Sequence, residues 1–162
     1  MIELIDPIIS SNKIDISTGL NVHYLEASKN NNNQSIALLL HGFPELSFSW
    51  RKIIPILANE GFRVIAPDMR GYGLTSGGAK KYDTNISEYR LLNLTTDILS
   101  LISVLKINKV DLLVGHDAGS SVAGTSALIR PDIFKSVVMM SAPFTGAPNI
   151  DSNLSYQDPI HK

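Results

Sequence analysis

The chain has 162 residues, 44% of them hydrophobic, and a formal net charge of −1. That is room for one domain with a sizeable core; it excludes a disordered chain and offers no broad basic surface for nucleic acid or anionic membrane. With no cysteine, disulfides and thiolate metal sites are excluded as well.

Met1 to Pro7 has neither a basic start nor a long apolar core, so it does not read as a secretory signal. No apolar run reaches the length of a membrane span, and the expectation is a cytoplasmic protein. Two short strands are expected at Ile14–Ser17 and Leu20–Ala27, with Thr18-Gly19 as the turn between them. His23 falls in the second and is expected at the surface. Lys29 to Ser35 holds four consecutive asparagines and reads as an exposed loop.

Ile36–Leu40 is a continuous apolar run, the pattern of a strand buried on both faces. His41-Gly42-Phe43-Pro44 leaves its end as a loop. From Ser49 the period changes. Trp50, Ile53, Ile54 and Leu57 share one helical face, and Gly61 stops that helix. Arg63–Ala66 is the next strand, halted by Pro67. The glycine-rich segment Gly71 to Asp83 has no period and reads as a loop. Just before it, Asp68 is expected to be scaffold, pairing locally with Arg70 or capping the loop.

Leu91, Leu94, Ile98, Leu101, Ile102 and Leu105 mark one stripe of a long helix. Val110–Val114 is a strand. Gly115-His116-Asp117-Ala118-Gly119 follows it, and a small-residue helix runs from Ser120 to Leu128, ending at Arg130-Pro131. Ser136–Ser141 is the last clear strand. Strands alternating with helices indicate a mostly parallel sheet with helices on both faces.

The segment 115–119 fits the pattern G-x-Nu-x-G, a sharp strand-to-helix turn that presents one side chain. Ser is the usual occupant; here it is Asp117. A carboxylate is already ionised at neutral pH and can displace a leaving group from saturated carbon, giving an alkyl ester on the enzyme. Asp at this position also serves as a plain N-cap. The backbone N–H groups of Phe43 and Ala118 could form an oxyanion hole beside it.

His41-Gly42-Phe43-Pro44-Glu45-Leu46, Trp50-Arg51, Asp68-Met69-Arg70-Gly71-Tyr72-Gly73, Gly115-His116-Asp117-Ala118-Gly119 and Arg130-Pro131 stand together in one order. In this the chain resembles the α/β-hydrolase superfamily and, within it, the epoxide hydrolase branch. The resemblance reaches to Phe144. It implies the α/β-hydrolase fold, truncated after the sixth strand, with residues 1–144 as the N-terminal part of the core and 145–162 as the start of a cap or linker. It implies Asp117 as nucleophile and Phe43 and Ala118 as oxyanion-hole donors. His41, Gly42, Pro44, Gly115, His116 and Gly119 would support the motifs. The implied activity is opening of a small apolar epoxide to a diol, with no cofactor and no metal.

Dehalogenases of the same fold are the alternative. The haloalkane enzymes resemble this pattern but usually carry Trp after the nucleophile to hold the halide; here that residue is Ala118. Fluoroacetate dehalogenases place arginines there, whereas Ala118, Gly119, Ser120 and Ser121 are neutral. The family's base histidine, its acidic partner and the cap tyrosines are expected beyond the last strand. His161, Asp151, Asp158 and Tyr156 are poor substitutes for them. The expectation is therefore an incomplete, inactive piece of an epoxide hydrolase-like enzyme, or else a non-catalytic remnant.

Overall fold

The computed structural model describes residues 5–29, 34–78 and 86–142. The expected cap or linker at 145–162, with Asp151, Tyr156, Asp158 and His161, lies outside the described residues.

Among the described residues six strands form one sheet: β1 (Ser10–Asp15), β2 (Asn21–Ala27), β3 (Ser35–Leu40), β4 (Phe62–Pro67), β5 (Leu112–His116) and β6 (Val137–Met140), in the order β1-β2-β4-β3-β5-β6. β1 pairs antiparallel with β2, and β2 with β4; the other three pairings are parallel. The helices are α1 (Ile53–Asn59), α2 (Leu91–Val104) and α3 (Ala118–Ile129). The expected mostly parallel sheet with helices on both faces is the observed one.

The central strand β3 shows why its run is apolar throughout. Successive side chains of a strand point to opposite faces. Ala37 and Leu39 pack with Trp50, Ile54 and Ala58 on the α1 side. Leu38 and Leu40 pack with Ile98, Ile102, Val122 and Ala123 on the side of α2 and α3. All four strand residues are fully buried, and each of the three leucines contributes roughly 1.5–3 kcal/mol by leaving water.

Three local expectations differ from the structure. The helix expected from Ser49 begins as a 3-10 turn, Ser47–Lys52, before α1. Burial follows Trp50 and Ile54, four residues apart, while Ile53 beside them is exposed. Pro55 sits in the first turn of α1, where a missing N–H costs little. On α2 the buried stripe starts after Leu91, which opens the helix and stays exposed. The first strand lies earlier than expected, because the antiparallel register with β2 pairs Ser10 with Glu26.

β6 lies at one edge of the sheet among the described residues. Its residues alternate, with Val138 and Met140 exposed. No helix among the described residues is long and apolar enough to cross a membrane.

Candidate active site

β5 ends at His116 and α3 begins at Ala118, leaving Asp117 alone to turn the chain. Its φ is 51° and ψ −119°. This is left-handed backbone outside the small region that side chains tolerate, at a cost of order 1–3 kcal/mol. The surroundings over-determine it. Asp117 N–H donates to the Met140 carbonyl at 2.9 Å, and Ser120 N–H donates to the Asp117 carbonyl at 2.9 Å. The buried Ser120 hydroxyl lies 2.7 Å from both the Gly115 and Met140 carbonyls and accepts from Met140 N–H at 3.1 Å.

The glycines of the motifs are there because backbones meet. A Cβ at Gly119 would fall 2.5 Å from the His41 carbonyl oxygen and nearer still to that of Leu40. A Cβ at Gly42 would fall 2.6 Å from the Asp117 Cβ. Without side chains at these places, the end of β3 approaches the start of α3 closely. The close approach delivers Phe43 N–H to Asp117 Oδ1 at 2.9 Å.

Asp117 makes no side-chain cap on α3, so the plain N-cap reading fails on geometry. Its carboxylate instead accepts from Phe43 N–H. That bond first, then the neighbouring Ala118 N–H, holds the carboxyl below the usual carboxylate range, with a smaller contribution from His116. Among the described residues Phe43 is 69% exposed, Ala118 is exposed and Asp117 is half-buried.

Around this centre lie three further groups. His116 Nδ1 is 3.0 Å from Glu45 Oε2, both half-buried. The half-buried Tyr72 ring meets the His41 ring edge-on at 5.0 Å. Burial raises the Tyr72 phenol's pKa, and the Asp117 charge raises it further. His41 is wholly buried. Among the described residues, no three His, Asp or Glu side chains cluster as a metal site needs.

Two readings of neighbouring residues are corrected. Arg70 does not pair with Asp68. It makes two bonds to Asp97 on α2, each 2.8 Å, and one at 3.2 Å to Glu88, which lies ahead of that helix. Asp68 does hold its loop: Oδ1 accepts from Ser47 N–H at 2.8 Å and Oδ2 from Leu74 N–H at 2.9 Å. The third partner of Asp68 is His23, at 2.7 Å from Nδ1. His23 is therefore buried, not at the surface as expected for it. The antiparallel β2–β4 pairing sets its ring against the carboxylate that follows β4. For Asp68, burial alone would raise the carboxyl pKa, but the bonds from Leu74, Ser47 and His23 outweigh it and the pKa is lowered.

Asp97, Ser120 and the Glu45–His116 pair were not singled out from sequence. Asp97 carried a signal, because a carboxylate beside the buried stripe of α2 must find a partner.

This elbow, on a mostly parallel sheet of this order, is matched by a family model for the alpha/beta hydrolase fold over residues 38–159. The chain belongs to the α/β-hydrolase fold family. An epoxide hydrolase from Caballeronia sordidicola is 42% identical over 131 residues, covering 80% of this chain and 37% of that protein. Epoxide hydrolase B from Mycobacterium tuberculosis is 39% identical over 128 residues, covering 79% and 34%. Among solved structures, potato (Solanum tuberosum) epoxide hydrolase I matches with a TM-score of 0.76 at 34% identity, over 88% of this α/β-hydrolase chain and 43% of that one. The chain thus spans little more than a third of the length of the curated relatives it matches.

Proposed function

We propose that this chain carries the nucleophile and oxyanion donors of an epoxide hydrolase. The observation that carries the reading is the Asp117 carboxylate, raised on a strained elbow with one oxygen held by the Phe43 backbone N–H. Oδ1 is held, so Oδ2 is the attacking atom. It displaces the ring oxygen from an epoxide carbon: a carbon–oxygen ester bond forms, the epoxide C–O bond breaks, and the alkoxide takes a proton from solvent, which is returned to solvent when the attacking water is deprotonated in the second step. Oδ1 becomes the ester carbonyl oxygen and already accepts from Phe43 N–H at 2.9 Å. When water attacks that carbonyl, the negative charge builds on Oδ1, and Phe43 N–H stabilises it, with Ala118 N–H as the proposed second donor. Collapse releases the diol and restores the carboxylate, so epoxide plus water gives diol.

Ala118 and Phe43 offer no side-chain N–H to a departing halide. This favours an uncharged epoxide over an organohalide, in keeping with the names of the relatives. The proposed substrate is a small, largely apolar epoxide.

Mass spectrometry after exposure to styrene oxide tests the nucleophile. The expected result is an alkyl ester on Asp117 and none in Asp117→Asn, whose neutral amide is a poor nucleophile. Because its carboxyl sits below the usual range, alkylation should persist as pH falls toward 4. A folded protein modified elsewhere, with Asp117 untouched, would refute the covalent reading.

A further inference from the structure

His41 makes its hydrogen bonds behind the Phe43 donor. Its Nε2 lies 3.0 Å from Met69 N, and its Nδ1 lies 2.9 Å from the Gly42 carbonyl oxygen. A backbone N–H can only donate, so Nε2 is the bare nitrogen and the proton resides on Nδ1. Nδ1–H then donates to the Gly42 carbonyl. That carbonyl and Phe43 N–H belong to one peptide unit, and a trans peptide points them in opposite directions. The ring thus holds one end of the unit whose other end donates to Asp117 Oδ1 at 2.9 Å. Glu45 N–H fills the carbonyl's remaining lone pair at 3.1 Å. Hydrogen bonds in such a series polarise one another toward the acceptor. The edge-on Tyr72 ring and complete burial restrict the imidazole to this pose.

We propose that His41 is a positioning residue: with its tautomer set by Met69 N–H, the neutral ring holds the Gly42–Phe43 peptide so that Phe43 N–H is aimed at Asp117. The role rests on the reading of Asp117 as the nucleophile. The ring is kept neutral by its burial, which pushes its pKa down against the opposing pull of the Gly42 carbonyl, Asp68 and Glu45. What matters to Asp117 is the donor at Nδ1, not the acceptor at Nε2. Asn at this position can offer an amide N–H close to where Nδ1 stood; Gln instead reaches toward the Nε2 position.

Nitrogen-15 NMR of wild type comes first. A protonated Nδ1 and a bare Nε2 are expected at His41, and the opposite tautomer overturns the proposal without any variant. Carbon-13 NMR then follows the Asp117 carboxyl through a pH titration in wild type, His41→Asn and His41→Gln. His41→Gln should titrate higher than wild type, with the Phe43 amide proton moving upfield, whereas His41→Asn should stay near wild type. Each variant loses one buried bond. A merely structural role would therefore shift Asp117 alike in both, and that result, or no shift in either, overturns the proposal.

Alkylation of Asp117 by styrene oxide should slow on the order of 10- to 100-fold in His41→Gln and by less than about threefold in His41→Asn. Should the titrations come out as expected while wild type takes no alkyl group, the positioning of Phe43 is upheld and the nucleophile reading falls.

Discussion

Replacing Gly119 with Ala adds one methyl where β3 and α3 touch. Its Cβ falls 2.5 Å from the His41 carbonyl oxygen and 2.8 Å from the Leu40 carbonyl carbon, with the Leu40 oxygen nearer still. These are backbone atoms and cannot swing aside as a side chain does. Real contacts stay above 3.0 Å and become ordinary beyond 3.4 Å, so relieving the nearest of them parts the two segments by about 0.6–1.0 Å. Phe43 rides on the displaced segment. Its bond to Asp117 Oδ1, 2.9 Å in the native protein, would stretch to about 3.5–3.9 Å, outside hydrogen-bond range. The overpacking should cost about 1–3 kcal/mol in urea unfolding. Misplacing a positioning group by nearly an ångström should slow alkylation of Asp117 by roughly 10²-fold. Gly61→Ala is the comparison. Gly61 has φ +94° with nothing within 4 Å of its Cβ, so it should lose about 1 kcal/mol to backbone strain and leave alkylation unchanged. Wild-type stability and alkylation in Gly119→Ala, or equal damage to alkylation from Gly61→Ala, would refute the close-approach argument.

Three further outcomes follow from the buried polar network. Asp68→Asn should destabilise by about 3 kcal/mol at pH 7, since the buried carboxylate accepts from Ser47, Leu74 and His23. Because folding lowers its pKa, its stabilisation is present above the unfolded-state value and lost as pH falls through the lower folded one; urea melts should show wild type and variant converging below about pH 4. Asp97→Ala removes two of the three bonds described for the buried Arg70 guanidinium and should cost about 3 kcal/mol in chemical denaturation, with Arg70→Met in the same chain restoring much of it. Ser120→Ala removes the hydroxyl that joins the elbow to β6; it should cost about 1–3 kcal/mol and speed hydrogen exchange at the Met140 amide.

Strand and helix identity could be read from local pattern because each element obeys its own period. Ile36–Leu40 announced a two-faced strand, and both faces are filled. Leu94, Ile98, Leu101 and Ile102 announced the buried side of α2. The elbow could be read for a steric reason: glycines at 115 and 119 around a polar residue at a strand end leave few alternatives to a sharp turn. Boundaries were less legible. The hydrophobic pattern around Trp50 cannot distinguish a 3-10 start from an α-helical one, since hydrogen bonding rather than polarity separates them.

The order of elements, the sharp turn at Asp117 and the place of Phe43 after a buried strand were legible from the amino acids alone. Each follows from side-chain size, polarity and spacing along a few residues. The pairing of polar groups came from the packing of distant segments. His23 and Asp68 are 45 positions apart and meet through the antiparallel β2–β4 pairing; Arg70 and Asp97 are 27 apart and meet where α2 packs on the sheet. Asp117 and Phe43 are 74 apart and join because two glycine-lined backbones touch. A charged or polar side chain shows in sequence that it needs a partner, but hydrogen bonds act over about 3 Å. The choice of partner therefore waits on which chain segments packing brings side by side.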